Sequence, residues 1–216
     1  MDGNRRWAKE QGLPALKGHK RGAEVFKEIS LAAFERGVTV LSAFVFSTDN
    51  WKRAEDEVGY LMKLVITASE KYLDEFDKKG IKIMVIGRRD NIRLDVLKAI
   101  QQTEEKTKNN TRGKLVLCFN YGGQQEIIDS VTKLTLSVKN KRPTVEIFEQ
   151  NLYSPEVPPL DLIIRTSGEK RLSGFMLWRA AYAELRFIDK YWPDFTPDDL
   201  DEALADYASR QRRFGS

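Results

Sequence analysis

Cysteine and histidine are nearly absent: the 216-residue chain has one of each. A single cysteine excludes an intrachain disulfide framework and a multi-cysteine zinc site. It fits a reducing compartment. No apolar run approaches the roughly 20 residues of a membrane span, and no secretory leader opens the chain, so the cytoplasm is the expected compartment. Neither sign of charge dominates. Lys plus Arg is 36 and Asp plus Glu is 32, which leaves +4. The charges are interspersed, without one long basic block, so an anionic ligand is permitted and nucleic acid is not demanded. Four catalytic signatures are missing as well: G-x-x-x-x-G-K-[ST], G-x-G-x-x-G after a strand, H-E-x-x-H and G-x-S-x-G. Their absence argues against a P-loop NTPase, a dinucleotide dehydrogenase, a zincin and an α/β hydrolase.

What is present reads as a soluble globular chain, with 41% hydrophobic and 31% charged residues. Its length suits one large domain spanning 1–216. Val38 to Phe46 is a nearly continuous apolar run, as in a strand buried on both faces. Ile81 to Ile86, Leu115 to Phe119 and Leu160 to Ile164 read the same way. Helical stretches lie between them, over about Arg21–Arg36, Asp56–Lys79, Asn91–Lys108, Gln124–Lys139 and Pro197–Arg213. Gly37 and Gly80 stand where helix C-terminal glycines belong. This alternation predicts an α/β fold, a mostly parallel central sheet flanked by helices. Asn140 to Pro159 reads as a short helix and a loop within the domain.

In open α/β sheets, ligands sit beyond the C-terminal ends of the strands. The segments found there are polar and rich in turn residues: Ser47 to Arg53, Asn120 to Gly123, and Arg165 to Phe175. Arg165, Arg171 and Ser173 form a candidate oxyanion grip, since guanidinium forks bind phosphate oxygens bidentately. Gly168 and Gly174 would let backbone N–H groups approach the same anion. A solvated charged loop is the alternative.

Asp2-Gly3-Asn4-Arg5-Arg6 combines a carboxylate for a hard cation with backbone donors and positive charge, as a magnesium-assisted diphosphate site requires. D-G-N is also a common turn. Gly18 to Gly22 reads as a second basic turn just before a helix, where an anion is favoured. Its His19 lies between Gly18 and Lys20, outside any apolar run. Trp51 in a polar loop needs a packed wall or an apolar ligand. Glu184 is a carboxylate among apolar neighbours, either a metal ligand or a structural ion pair. Cys118, in an apolar strand, reads as an inert small hydrophobe.

Taken as a set, these motifs resemble the cis-prenyltransferases, the undecaprenyl diphosphate synthase family. The resemblance runs through Met1–Ala8, Gly18–Gly22, Phe46–Arg53, Asn120–Gly123, Asp161–Glu169 and Trp192–Phe195. The all-trans prenyltransferases differ: they are helical and carry D-D-x-x-D motifs, absent here. The resemblance implies an enzyme that condenses an allylic diphosphate, such as farnesyl diphosphate, with isopentenyl diphosphate and creates a cis double bond at each step. It further implies Mg2+, a homodimer, peripheral membrane association through the lipid product, and a product such as undecaprenyl diphosphate, the carrier precursor for cell-wall glycans.

By that pattern, Asp2 is the essential acidic residue and a magnesium ligand, with Glu184 as the other protein ligand. Gly3, Asn4, Arg5, Arg6, Trp7 and His19 match the cradle for the allylic diphosphate. Ser47, Thr48, Asp49, Asn50, Trp51 and Arg53 match the loop that closes over substrate, with Asn50 in the proton-acceptor position. Arg165, Arg171, Leu172 and Ser173 match the isopentenyl diphosphate grip. Val45 is expected to face the tunnel for the growing chain and to set product length.

Three departures accompany the resemblance. The family carries a short strand before the Met-Asp-Gly-Asn motif, so the expectation is that an N-terminal strand is missing here. Pro14-Ala15-Leu16 occupies a stretch where an arginine is often found, and Gly174 replaces a frequent asparagine. Two alternatives come from other classes. A non-catalytic partner subunit is disfavoured by the presence of Asp2, Asn4, Arg6, His19, Asn50 and Arg165. A nucleic-acid-binding protein is disfavoured by the acidic loops and the lack of any such motif.

Overall fold

The computed structural model describes residues 1–137 and 142–211. The expected helix ends at 138–139 and 212–213, and the start of the 140–159 segment, lie outside the described residues. The chain groups into two compact units. One comprises Met1–Gly37, Leu160–Arg171 and Tyr182–Ser216; the other comprises Val38–Pro159 and Leu172–Ala181.

In the first unit, α1 (Asn4–Glu10) packs on α2 (Ala15–Glu35). Two four-residue strands, β4 (Leu162–Arg165) and β5 (Glu184–Phe187), pair in parallel, with Leu162 opposite Glu184 and Arg165 opposite Phe187. A short 3-10 turn at Trp192–Asp194 and helix α7 (Pro197–Ser209) both pack against α2. Thr196 caps α7 by accepting from Asp199 N, and Asp199 returns the bond to Thr196 N. This reciprocal box satisfies two otherwise orphaned donors.

In the second unit, β1 (Val40–Ser47), β2 (Ile81–Ile86) and β3 (Gly113–Tyr121) form a parallel sheet in the order β1-β3-β2. Helices α3 (Glu55–Lys78) and α4 (Leu94–Thr107) connect these strands, and both contact β2. A core of Phe46, Met62, Val85, Ile92, Val96, Ile100 and Phe119 fills the space between strands and helices. Helix α5 (Gly123–Ser137) follows β3 and packs on the short α6 (Val145–Glu149). Gly37 and Gly80 have φ of 85° and 71°, as expected of helix-ending glycines.

The expected α/β fold, with parallel strands flanked by helices, is the one the chain adopts. One local expectation needs correction, and two short elements were not anticipated. Gly18 to Gly22 is no turn: it lies inside α2, which begins at Ala15 behind Pro14, so no helix N-terminus is offered to an anion there. The glycines serve close packing instead. A Cβ on Gly18 would lie 2.0 Å from the backbone oxygen of Asn4, and one on Gly22 would lie 2.1 Å from Asn4 Oδ1. Asn4–Glu10, for which no element was expected, is a helix that starts directly behind Asp2 and Gly3. The four-residue β5 was not anticipated, since so short a segment carries little periodicity. No helix among the described residues is long and apolar enough to cross a membrane.

Candidate active site

The candidate site residues fall into two groups, one in each unit. In the first, Asp2 is pinned through its backbone. Its N–H donates to Thr166 Oγ1 at 2.9 Å, and its carbonyl accepts from the same hydroxyl at 2.9 Å and from Trp192 N at 2.9 Å. The carboxylate accepts from Gly3 N at 2.7 Å and from Arg165 Nη2 at 3.0 Å. Partial burial opposes ionisation of Asp2. The Arg165 hydrogen bond, the Gly3 N–H and the Arg165 charge outweigh it, and the carboxyl stays below its ordinary value. It is therefore a carboxylate at neutral pH.

Arg6 stands beside it. Its guanidinium donates to the carbonyl and hydroxyl oxygens of Ser167, lies 3.1 Å from Glu169 Oε1, and sits over the Tyr191 ring at 5.7 Å. Arg165 also donates to the backbone oxygen of Arg171. Glu169 thus ties together a cluster of cations with Asp2 at its centre, because it pairs with Arg171 as well as Arg6. Oxygens of an anionic ligand could exchange with these carboxylates on the same guanidinium forks.

The support beneath this cluster comes from residues 191–195. Trp7 Nε1 donates to Asp194 Oδ1 at 2.7 Å, Trp192 Nε1 donates to Gly22 O at 2.9 Å, and Trp192 stacks on Phe195. Trp7 therefore anchors α1. Arg5 is exposed on α1, and His19 lies in α2 one residue after the packing glycine Gly18.

Glu184 is not brought to Asp2 within this chain. It opens β5 opposite Leu162, whereas Arg165, the partner of Asp2, ends β4. Three residues of strand separate those ends, about 10 Å. Glu184 pairs instead with Arg210 at 2.7 Å. Among the described residues no group of three His, Cys, Asp or Glu could hold a metal. Magnesium is commonly held by one or two carboxylates plus substrate phosphates. Asp2 fits that pattern, being ionised and 38% exposed at its side chain.

In the second unit, β1 runs into a short 3-10 turn at Thr48–Lys52. Ser47 and Asn50 cap it reciprocally, with Ser47 N donating to Asn50 Oδ1 at 3.1 Å. Asn50 is thus already committed to shaping the loop. Asp49 pairs with Lys52 at 2.7 Å, and Arg53 pairs with the buried Glu57 at 2.9 Å. Thr48 lies against Gly122. Trp51 packs edge-on against Phe46, its ring centre 5.0 Å away, which is the packed wall that a tryptophan there requires. Leu172 and Ser173 begin a segment held to α5 by Gly123 N donating to Gly174 O at 2.8 Å.

Several residues that matter were missed from sequence. Glu126 and Arg179 form a buried pair at 2.8 Å, 1% and 3% exposed at their side chains. Arg179 also donates to the carbonyls of Tyr153, Ser154 and Val157. Tyr121 donates to Glu126, and burial together with that carboxylate pushes the Tyr121 phenol well up. A charged residue within Met-Leu-Trp-Arg-Ala-Ala was the available signal. Thr166, Ser167 and Glu169 were in view as motif letters without roles.

The comparisons with known proteins agree. The Prenyltransf family model, that of undecaprenyl diphosphate synthase, matches residues 1–215. An isoprenyl transferase of Thermotoga maritima is 47% identical over all of this chain and 94% of its own length. One from Rickettsia typhi is 42% identical over all of this chain and 95% of its own. Among solved structures, lavandulyl diphosphate synthase from Lavandula x intermedia, in complex with dimethylallyl diphosphate, superposes with a TM-score of 0.95 at 30% identity. That match covers 100% of this chain and 95% of the other. A probable undecaprenyl diphosphate synthase from Campylobacter jejuni gives 0.82 at 30% identity, covering 91% and 93%.

Proposed function

Because the chain belongs to the undecaprenyl diphosphate synthase family of prenyltransferases, we propose that it joins isopentenyl diphosphate to an allylic diphosphate and builds a cis-polyprenyl diphosphate. The family match spans both units, which supports a single transferase domain. The observation that carries the reading is the Asp2 cluster: one ionised carboxylate held against Arg165 and Arg6, with Arg171 next to them.

Arg6, with the Gly3 and Asn4 backbone, would take the allylic diphosphate; Arg165, Arg171 and Ser173 would take isopentenyl diphosphate. Cleavage of the allylic C–O bond leaves its electron pair on diphosphate, and positive charge already in place stabilises what develops. The double bond of isopentenyl diphosphate attacks the allylic carbon, and loss of one proton restores a double bond. An amide is a poor base and Asn50 Oδ1 already receives Ser47 N–H, so we assign that proton to the departing diphosphate. Holding both substrates together makes the attack nearly intramolecular.

Magnesium, when bound, neutralises diphosphate charge and orients it; Asp2 would hold it together with substrate oxygens. Glu184 would serve such a metal only from a second copy of the chain, which the dimer typical of this family allows. The finer assignment is farnesyl diphosphate as primer and an undecaprenyl-type product for cell-wall glycan synthesis, the lipid tail bringing the enzyme to a membrane surface. The test is incubation with labelled isopentenyl diphosphate, magnesium and allylic primers of different length. Incorporation into lipid-extractable product is expected, with farnesyl diphosphate preferred. No incorporation with any primer would refute it.

A further inference from the structure

Asn120 carries a set of contacts that the reaction as described does not use. It is 4% exposed and adopts the left-handed conformation, with φ of 47°. Asparagine tolerates that region better than most side chains. The regular pairing of β1 with β3 skips Val45 on one strand and Asn120 on the other, so Asn120 sits at an irregularity close to the C-terminal ends of the strands. Its side-chain N–H groups donate to Arg88 O and to Asp90 O, each at 3.1 Å. Its Oδ1 accepts from Trp51 Nε1 at 2.8 Å, and its backbone oxygen accepts from Arg88 N at 3.1 Å.

The loop it grips begins at Gly87, whose φ is 134° and where a Cβ would lie 2.0 Å from Phe119 O. Only glycine lets this loop pass so close to β3. One buried carboxamide therefore joins the turn after β1, the loop after β2 and the end of β3. Trp51, held at its indole N–H, packs against the apolar core cluster that includes Phe46, Phe119 and Met62.

We propose that Asn120 is a positioning residue for prenyl transfer, fixing the Trp51 indole and the Gly87–Asp90 loop together at the ends of the parallel strands. Both of its amide protons are spent on loop carbonyls, so it acts through Trp51 and not on substrate. The proposal rests on reading Ser47–Arg53 as a substrate loop. Because Trp51 packs on the same apolar cluster as Val45, the residue read as facing the tunnel for the chain, Asn120 governs use of the allylic substrate, which carries the prenyl tail, more than of isopentenyl diphosphate.

Asn120→Asp keeps the size and the Oδ1 acceptor but replaces the amide nitrogen with an oxygen facing two carbonyls, so the side chain must turn away from the loop and take the acceptor of the Trp51 indole with it. Purified full-length wild type, Asn120→Asp, Trp51→Phe and the double variant are compared by intrinsic emission and by steady-state kinetics. The kcat/KM for farnesyl diphosphate should fall about tenfold in Asn120→Asp, the size of a lost hydrogen bond to a buried group, while the KM for isopentenyl diphosphate holds. The same substitution should add little in the Trp51→Phe background. The emission difference between wild type and Asn120→Asp should vanish there too. Unchanged emission, or an undiminished kinetic effect without Trp51, overturns the proposal. Should Asn120→Asp fail to fold, Trp51→Phe decides, because it removes the indole N–H while keeping an aromatic ring against Phe46; wild-type kinetics from it would overturn the proposal. A wild type that elongates no primer refutes the substrate-loop reading, while the emission result still decides whether Asn120 holds Trp51.

Discussion

Asp2 Oδ2 and Arg165 Nη2 lie 3.0 Å apart, joining residues 163 positions apart in sequence. This pair makes a pH prediction. The folded-state value of Asp2 is below its ordinary 3.8, so the stabilisation is complete above that value and is lost as pH falls through the lower folded one. The stability difference between wild type and Asp2→Asn should stay constant from neutral pH to about pH 5 and shrink only below about pH 4. Denaturant melts across that range check it. A difference that already declines between neutral pH and pH 5 would contradict the assignment.

Gly18 and Gly59 should respond oppositely to alanine. Both are helical, and propensity alone favours alanine by about 1 kcal/mol. At Gly59 a Cβ meets nothing within 4 Å, so Gly59→Ala should be neutral or stabilising. At Gly18 the Cβ would lie 2.0 Å from a backbone oxygen of Asn4. There overpacking of about 1–3 kcal/mol outweighs propensity, and Gly18→Ala should lose both stability and activity. Equal effects at the two sites would contradict the packing argument.

The buried Glu126–Arg179 pair predicts an asymmetry between single and double variants. Removing one partner strands a buried charge, so Glu126→Gln or Arg179→Met should cost about 3–5 kcal/mol in urea denaturation. Replacing both with apolar residues should recover part of that loss. Strictly additive losses would argue against coupling.

Val45 packs against the apolar core cluster at the position skipped by the β1–β3 pairing. Val45→Ala should lengthen products and Val45→Phe should shorten them, because a bulky side chain stops the growing chain sooner. Chromatography of the lipid products reads this directly. One distribution shared by all three proteins would remove Val45 from the limiting part of the channel.

The strands were legible because each is a run of apolar residues with almost no polar interruption, as Val40–Ser47 and Ile81–Ile86 illustrate. Arg165 and Arg171 stood out from their company of glycine and serine after an apolar strand, and the structure joins Arg165 to Asp2 and to the backbone of Arg171. The Gly18–Gly22 segment misled because glycine and basic residues resemble a turn. What its glycines do is make room for Asn4, a tertiary fact with no local signature. The same holds for Asn120, whose partners are carbonyls about 30 positions away and an indole 69 positions away. Glu184 shows the converse. Its motif left a metal ligand and an ion pair both open, and the resemblance implied a metal shared with Asp2. Within one chain the register of β4 with β5 keeps it from Asp2, while it pairs with Arg210.

The most direct test of the account is label incorporation from isopentenyl diphosphate onto farnesyl diphosphate, measured for wild type and Asp2→Ala with magnesium and with excess EDTA. Wild type with magnesium should yield a ladder of products differing by one isoprene unit. EDTA should abolish it, and Asp2→Ala should lower the rate by at least about a hundredfold, as loss of a principal electrostatic contact does. Full elongation in EDTA, or by Asp2→Ala with magnesium, would contradict the account.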